Sequence, residues 1–201
     1  MTSHRSRAGS SRVWGGAAAI AALAAALGVW LASDGRPDGV VSAAPVTTAG
    51  SVASVPPRPA DAFTLTVDHV FDGDTIEARI TVPNDVVPST ESVRVRLIGV
   101  DAPEGTPSPE CWADEARDHL RMLLPDGSVV WAAPDVEWRD RYDRVLLYVW
   151  TKDGRFVNHE LALAGDAAAL LIQPDDAHFT FLAEAEASAR TAGAGQWGAC
   201  G

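Results

Sequence analysis

Residues 92–100 read Ser-Val-Arg-Val-Arg-Leu-Ile-Gly-Val. Successive side chains of a strand point to opposite faces, so Val93, Val95 and Leu97 share one face and Arg94 and Arg96 the other. A period of two does not gather residues into one stripe of a helix. The segment is therefore a half-buried strand, apolar toward a core and basic toward solvent or a ligand. It runs directly into Asp101-Ala102-Pro103-Glu104, where two carboxylates stand three residues apart around a proline that fixes the backbone.

The neighbouring segments say what this strand belongs to. Phe63 to Val67 alternates like a strand, and Asp72-Gly73-Asp74-Thr75 is a turn signal before a second strand over Ile76 to Val82. Ala113 to Leu124 has helical spacing of apolar residues and stops at Pro125-Asp126-Gly127. Val129 to Ala132 and Val145 to Trp150 read as further strands. Val157 to Gly165 and Ala177 to Ala192 read as helices closed by Gly165 and Gly193. Five strands with a helix after the third predict an α+β fold: a five-stranded OB-type β-barrel with three helices over residues 63–201.

The first third of the chain has a different character. Arg5, Arg7 and Arg12 precede an uncharged run from Val13 to Ser33 that is rich in Ala, Leu and Gly. A basic start followed by an apolar run predicts export, with residues 1–33 as a signal peptide or an N-terminal membrane anchor. Val41-Ser42-Ala43 offers a small-residue cleavage site, while an uncleaved run over residues 13–33 is long enough to span a bilayer with the domain outside. Residues 34–62, rich in Pro, Ala, Ser, Thr and Val, predict a flexible linker. Export makes a disulfide between the two cysteines, Cys111 and Cys200, an expectation.

Charge limits the kind of ligand. The net charge is −11, and from residue 63 onward 11 Lys and Arg face 24 Asp and Glu. Bulk attraction cannot hold a polyanion on such a surface, so phosphate contact has to come from a few placed arginines or a metal ion. Asp74 and Asp101, both at strand ends, form a hard-oxygen pair suited to Ca²⁺ or Mg²⁺. Arg96 on the adjoining strand and Arg144 beyond it carry forked donors that match phosphate oxygens. Glu104 can accept a proton from a water. Singly, each of these charges has a duller reading as a turn residue, a cap or a surface ion pair. Their joint occurrence in order is what points to a site.

Four stretches then resemble the staphylococcal-nuclease-like (thermonuclease) family over about residues 63–198: VFDGDT at 70–75, VRLIGVDAPE at 95–104, DRYDR at 140–144 and VNHELALAG at 157–165. The resemblance implies an OB-fold nuclease that cleaves DNA and RNA with one Ca²⁺ ion, leaving 3′-phosphate products. Carried over residue by residue, it implies Asp74 and Asp101 as metal carboxylates and Ala102 as the donor of a backbone carbonyl to the metal. Arg96 and Arg144 become the phosphate-binding catalytic arginines, Glu104 the general base, and Arg141 and Tyr142 the pair that holds a terminal phosphate.

The chain departs from the family pattern at two points. Asp143 stands where the family has glycine, so it either takes an unusual backbone conformation or pairs with Arg144. Leu170 and Leu171 stand near the place of a base-stacking tyrosine. Trp197 is expected to pack against the barrel. The expectation is thus an exported nuclease acting on DNA or RNA as a monomer. A non-catalytic OB-type module that binds nucleic acid or an envelope partner is the alternative.

Overall fold

The computed structural model describes residues 54–201. The predicted signal or anchor and the linker up to residue 53 lie outside the described residues. Among the described residues, no helix is long and apolar enough to cross a membrane.

Five strands close a barrel: β1 (Phe63–Val70), β2 (Thr75–Arg79), β3 (Val93–Leu97), β5 (Val129–Ala133) and β6 (Val145–Thr151), in the order β1-β2-β3-β6-β5. β5 returns to β1 and completes the closure, so the barrel has no free edge. All pairs are antiparallel except β3 with β6. This is the predicted OB-type α+β architecture.

The alternation read from the sequence is what fills the barrel. Val95 and Leu97 of β3 and Ile76 and Ala78 of β2 are buried, while Arg94 is exposed. Three longer helices surround the barrel: α1 (Ala113–Leu123), α2 (Val157–Ala164) and α3 (Phe179–Ala192). A four-residue turn, α4 (Gln196–Ala199), follows them. α1 buries Ala113, Ala116, Leu120 and Leu123, the three-and-four spacing of one helical face.

β2 stops at Arg79, short of the expected Val82, and α3 starts at Phe179 rather than Ala177; two larger details also differ from the sequence expectation. The strand over 92–100 breaks at Gly99, whose φ of 78° few other residues adopt. Beyond it, β4 (Val100–Asp101) leaves the barrel and pairs with β7 (Ala168–Ala169). Trp197 does not join the barrel core. It lies beneath the Arg190 guanidinium of α3, 3.4 Å from its ring centre.

The chain just before β1 rests on the barrel. The Trp150 indole N–H donates to the Pro56 carbonyl at 3.4 Å, and the Arg58 guanidinium stacks 3.8 Å over Trp131. Cys111 and Cys200 form the expected disulfide, with their Cα atoms 5.9 Å apart.

Candidate active site

The residues singled out from the sequence meet at one end of β3. Asp74 follows β1 in a tight turn whose position is set by close packing at Gly73. A Cβ there would lie 2.6 Å from the Ala102 Cβ and 2.8 Å from the Ala116 Cβ, so only glycine lets the turn approach the Asp101–Glu104 loop and α1. The approach is then fixed by hydrogen bonds. The Ala102 N–H donates to Asp74 Oδ2 at 2.8 Å, and the Thr75 hydroxyl donates to Asp74 Oδ1 at 2.9 Å.

Arg96 is the hub. Its Nη2 lies 2.9 Å from Asp74 Oδ2 and 2.8 Å from Asp101 Oδ1, bridging the two carboxylates. Its Nη1 donates to the Leu97 carbonyl at 2.7 Å and to the Val100 carbonyl at 2.6 Å. These two carbonyls are held at the Gly99 turn, and β4 pairing with β7 carries Asp101 into place opposite Ala168. Buried Asn158 locks the same turn from behind. Its side-chain N–H donates to the Ile98 carbonyl at 2.8 Å, and its Oδ1 accepts the Val149 N–H at 3.0 Å.

Asp74 is only 3% exposed. Burial pushes its carboxyl up to about 7, against the pull of the Arg96 guanidinium. A buried carboxylate of this kind calls for a cationic partner. Two carboxylate oxygens already converge on one nitrogen, and a hard divalent ion suits the same oxygens. Among the described residues no group of three or more His, Cys, Asp and Glu side chains converges. The other ligands of an ion at Asp74 and Asp101 would therefore be carbonyl or water oxygens, with the Ala102 carbonyl in the adjoining loop.

Glu104 stands beyond Pro103 at the mouth of the same cleft. Its loop is closed by a reciprocal clamp: the Glu104 N–H donates to Glu110 Oε2 at 3.0 Å, and the Glu110 N–H donates to the Glu104 carbonyl at 2.9 Å. Partial burial and the negative charge of Asp72 raise its carboxyl above the usual range, while Arg96 pulls the other way. A raised carboxyl is a stronger base toward water.

On the far wall, Arg144 is held by Asp140 rather than Asp143. Arg144 Nε donates to Asp140 Oδ2 at 2.7 Å and the Arg144 N–H to Asp140 Oδ1 at 3.0 Å. Burial raises the Asp140 carboxyl, but the hydrogen bonds from Arg144 and Tyr142 outweigh it and leave the group below its ordinary value. Asp143 takes the unusual backbone, with φ of 63°, and its carboxylate pairs with Arg139 at 3.0 Å. Of the two alternatives open for Asp143, the structure shows the strained backbone and not the pairing with Arg144.

The walls enclose a cleft of about 470 Å³. Arg96, Asp101, Glu104, Arg141, Tyr142 and Arg144 all line it, as do the apolar side chains of Leu146, Leu170 and Ile172. Asp74 sits behind, bonded to Arg96. Arg141 stacks over Tyr142 at 4.7 Å and donates to its hydroxyl at 2.7 Å. Four arginines and five carboxylates line this cleft, so even here the acids outnumber the bases. The cleft therefore offers aimed donors rather than a net positive potential.

Sequence reasoning missed Asp140, which positions Arg144; its spacing of four residues from Arg144 was the available signal. It also missed Thr75 and Glu110, whose roles depend on contacts that no spacing reveals.

The family model described as Staphylococcal nuclease homologue matches residues 94–199. The chain is 33% identical over 129 residues to Endonuclease YhcR of Bacillus subtilis (strain 168), covering 60% of this chain and 10% of that protein. It is 36% identical over 101 residues to an uncharacterized endonuclease of Escherichia coli, covering 50% of this chain and 57% of the relative. It is 34% identical over 128 residues to Thermonuclease of Staphylococcus intermedius, covering 62% of this chain and 70% of that protein. The chain thus spans a small part of the first of these relatives and just over half of the second. The extent of the family match, on a closed barrel that brings the predicted residues to one cleft, places this chain in the staphylococcal nuclease homologue family.

Proposed function

We propose that this protein is a Ca²⁺-dependent nuclease that hydrolyses phosphodiester bonds of DNA or RNA outside the cytoplasm. The observation that carries the reading is the convergence of Arg96, Asp74 and Asp101 at one point of a cleft whose rim bears Glu104 and Arg144. The names of the relatives, endonuclease and thermonuclease, support it.

Asp74, Asp101 and the Ala102 carbonyl would hold the ion, which supplies positive charge to a phosphoryl oxygen. Glu104 takes the proton from the water that attacks phosphorus. Arg144 keeps its Nε on Asp140 and presents its terminal amino groups to the phosphate. Arg96 has a stricter constraint, since Nη1 serves two carbonyls and Nη2 two carboxylates. Its Nη2 reaches a phosphate oxygen only by giving up a bond to Asp74 or Asp101. Donors aimed at the charge that develops on phosphorus lower the barrier. The 5′ oxygen leaves, and a 3′-phosphate remains.

The export reading rests on the basic and apolar start of the sequence and on the disulfide, a bond that persists in oxidising compartments. The acid-rich cleft favours a second reading, a binding module without turnover. Digestion of DNA and RNA side by side with Ca²⁺, Mg²⁺ and Mn²⁺ separates the two. Cleavage that disappears with chelator is the expected result. Oligonucleotide binding without cleavage under every ion would leave the binding module.

A further inference from the structure

Of the 11 basic residues from Phe63 onward, eight are spoken for by carboxylates, and only Arg94, Arg141 and Lys152 make no ion pair among the described residues. Two of these three stack on an exposed aromatic ring. Arg141 lies over Tyr142 at 4.7 Å, inside the cleft. Arg94 lies over Phe71 at 4.2 Å, outside it.

The Arg94 contact is not the one its neighbours would dictate. Glu77 lies directly across from Arg94 in the β2–β3 register, and His69 lies across from Glu77 on β1. On an acidic domain the Arg94 guanidinium would be expected to pair with Glu77. It stacks on Phe71 instead. Phe71 is 37% exposed, and His69 meets its ring edge-on, with ring centres 5.1 Å apart. An isolated exposed phenylalanine is ordinary. One covered by an arginine that has passed over an adjacent acid is a flat, cationic platform.

The position of the platform gives it a use. Arg94 and Arg96 share the outer face of β3, two residues and so roughly 6.6 Å apart along the strand. Phe71 belongs to the turn that presents Asp74, and its N–H donates to the Thr75 carbonyl at 3.0 Å. The cleft opens from Arg96 toward β6, whereas Phe71 and Arg94 lie toward β2 and β1. Arg96 therefore stands between two arginine–aromatic pairs.

We propose that Phe71 and Arg94, with His69 beside them, form a second nucleotide platform that holds a single-stranded nucleic acid on the side of Arg96 opposite Tyr142. A base takes the Phe71 face that Arg94 covers in the free protein, and the Arg94 guanidinium swings to the phosphate next to the one at Arg96. The inference rests on the nuclease reading for the identity of the strand. It adds that recognition extends past the scissile bond in both directions, which fits cutting within a strand better than trimming its end. It also supplies a second aromatic surface for a base, in addition to Tyr142 of the cleft.

The test is binding of fluorescent single-stranded DNA, read by anisotropy in Ca²⁺ on a Glu104→Gln background. A dinucleotide, which reaches only from Tyr142 to Arg96, is compared with a longer oligonucleotide. Phe71→Ala is expected to weaken the longer strand roughly 5- to 100-fold and to leave the dinucleotide within about twofold. Phe71→Trp restores binding. Arg94→Gln lowers the slope of log K against log salt by about one for the longer strand only. Both side chains are exposed, so the variants are expected to fold. Unchanged affinity of the longer strand in both variants overturns the platform, as does equal loss of the dinucleotide. A protein with Glu104 intact that cleaves nothing would end the nuclease reading, and the binding series would still decide the platform.

Discussion

Asp140 holds Arg144 at two points, through the Nε and through the backbone N–H, at 2.7 and 3.0 Å. A guanidinium held by its Nε is fixed in direction while its terminal amino groups stay available. Asp140→Asn is therefore expected to lower kcat/KM by roughly 10- to 100-fold through loss of orientation. Asp143→Gly removes only an exposed pair with Arg139 and relieves a positive φ. It should change stability by less than about 1 kcal/mol and leave activity nearly unchanged. A large gain of activity in Asp143→Gly would mean that Asp143, not Asp140, governs Arg144.

Glu104 reaches the cleft from a loop that is clamped by backbone bonds to Glu110. Glu104→Gln keeps the whole clamp, which uses only backbone atoms of Glu104, and the shape of the side chain. It should cut kcat by about 10²- to 10⁴-fold with the thermal midpoint unchanged. Turnover close to that of the unaltered protein removes Glu104 from the mechanism.

Asp74 and Asp101 supply the test of the ion. Added Ca²⁺ should raise the thermal midpoint, because a ligand that binds only the folded state stabilises it by mass action. Asp101→Asn should abolish that rise with little change to the cation-free protein, since its carboxylate is about half exposed. A Ca²⁺-induced rise of equal size in Asp101→Asn would place the ion elsewhere.

His119 makes stability depend on pH. Its Nδ1 bonds to buried Asp166, whose other oxygen accepts the Trp112 indole N–H at 2.9 Å. The bond to Asp166 raises the His119 pKa above 6.5, burial opposes it, Glu160 helps and Arg155 opposes. A raised folded value means that the contribution is complete below 6.5 and is lost as pH rises through the folded value. His159 and His178, pushed down by burial, act in the opposite sense, losing their contribution as pH falls below 6.5. Denaturant unfolding across this range should show stability declining on the alkaline side, and His119→Asn should flatten that limb. An identical limb in the variant would rule His119 out.

The disulfide joins residues 89 apart in sequence. Closing so long a loop restricts the unfolded chain, and loss of the bond should cost about 3–5 kcal/mol. For a domain of this size that is a fall in the thermal midpoint on the order of 10 °C, measurable with the Cys111→Ser and Cys200→Ser double variant.

Much of this molecule was legible in its sequence because its signals are local. The alternation of Val93 to Leu97 and the i, i+3, i+4 face of α1 are properties of short segments, and the barrel follows from their order. The residues of the site were legible as types at spacings. Their wiring was not. That Arg96 would bridge Asp74 and Asp101, that Asp140 would outcompete Asp143 for Arg144, and that Asn158 would lock the Gly99 turn all depend on segments far apart in sequence meeting in space. The break of the long strand at Gly99 went unseen because the run stays apolar through it, and only the partner at Ala168 and Ala169 draws Val100 and Asp101 out of the barrel.

The bond between Cys111 and Cys200 also divides the molecule into a ring and a tail. Residues 111–200, with Tyr142 and Arg144, are a closed covalent loop, so a protease that cuts once within them leaves one piece. Asp74, Arg96, Asp101 and Glu104 all lie on the open segment before it. The exposed stretch 106–110 is the one covalent thread between those two halves of the site. A single cut there separates the carboxylates from Arg144 in every sense except packing.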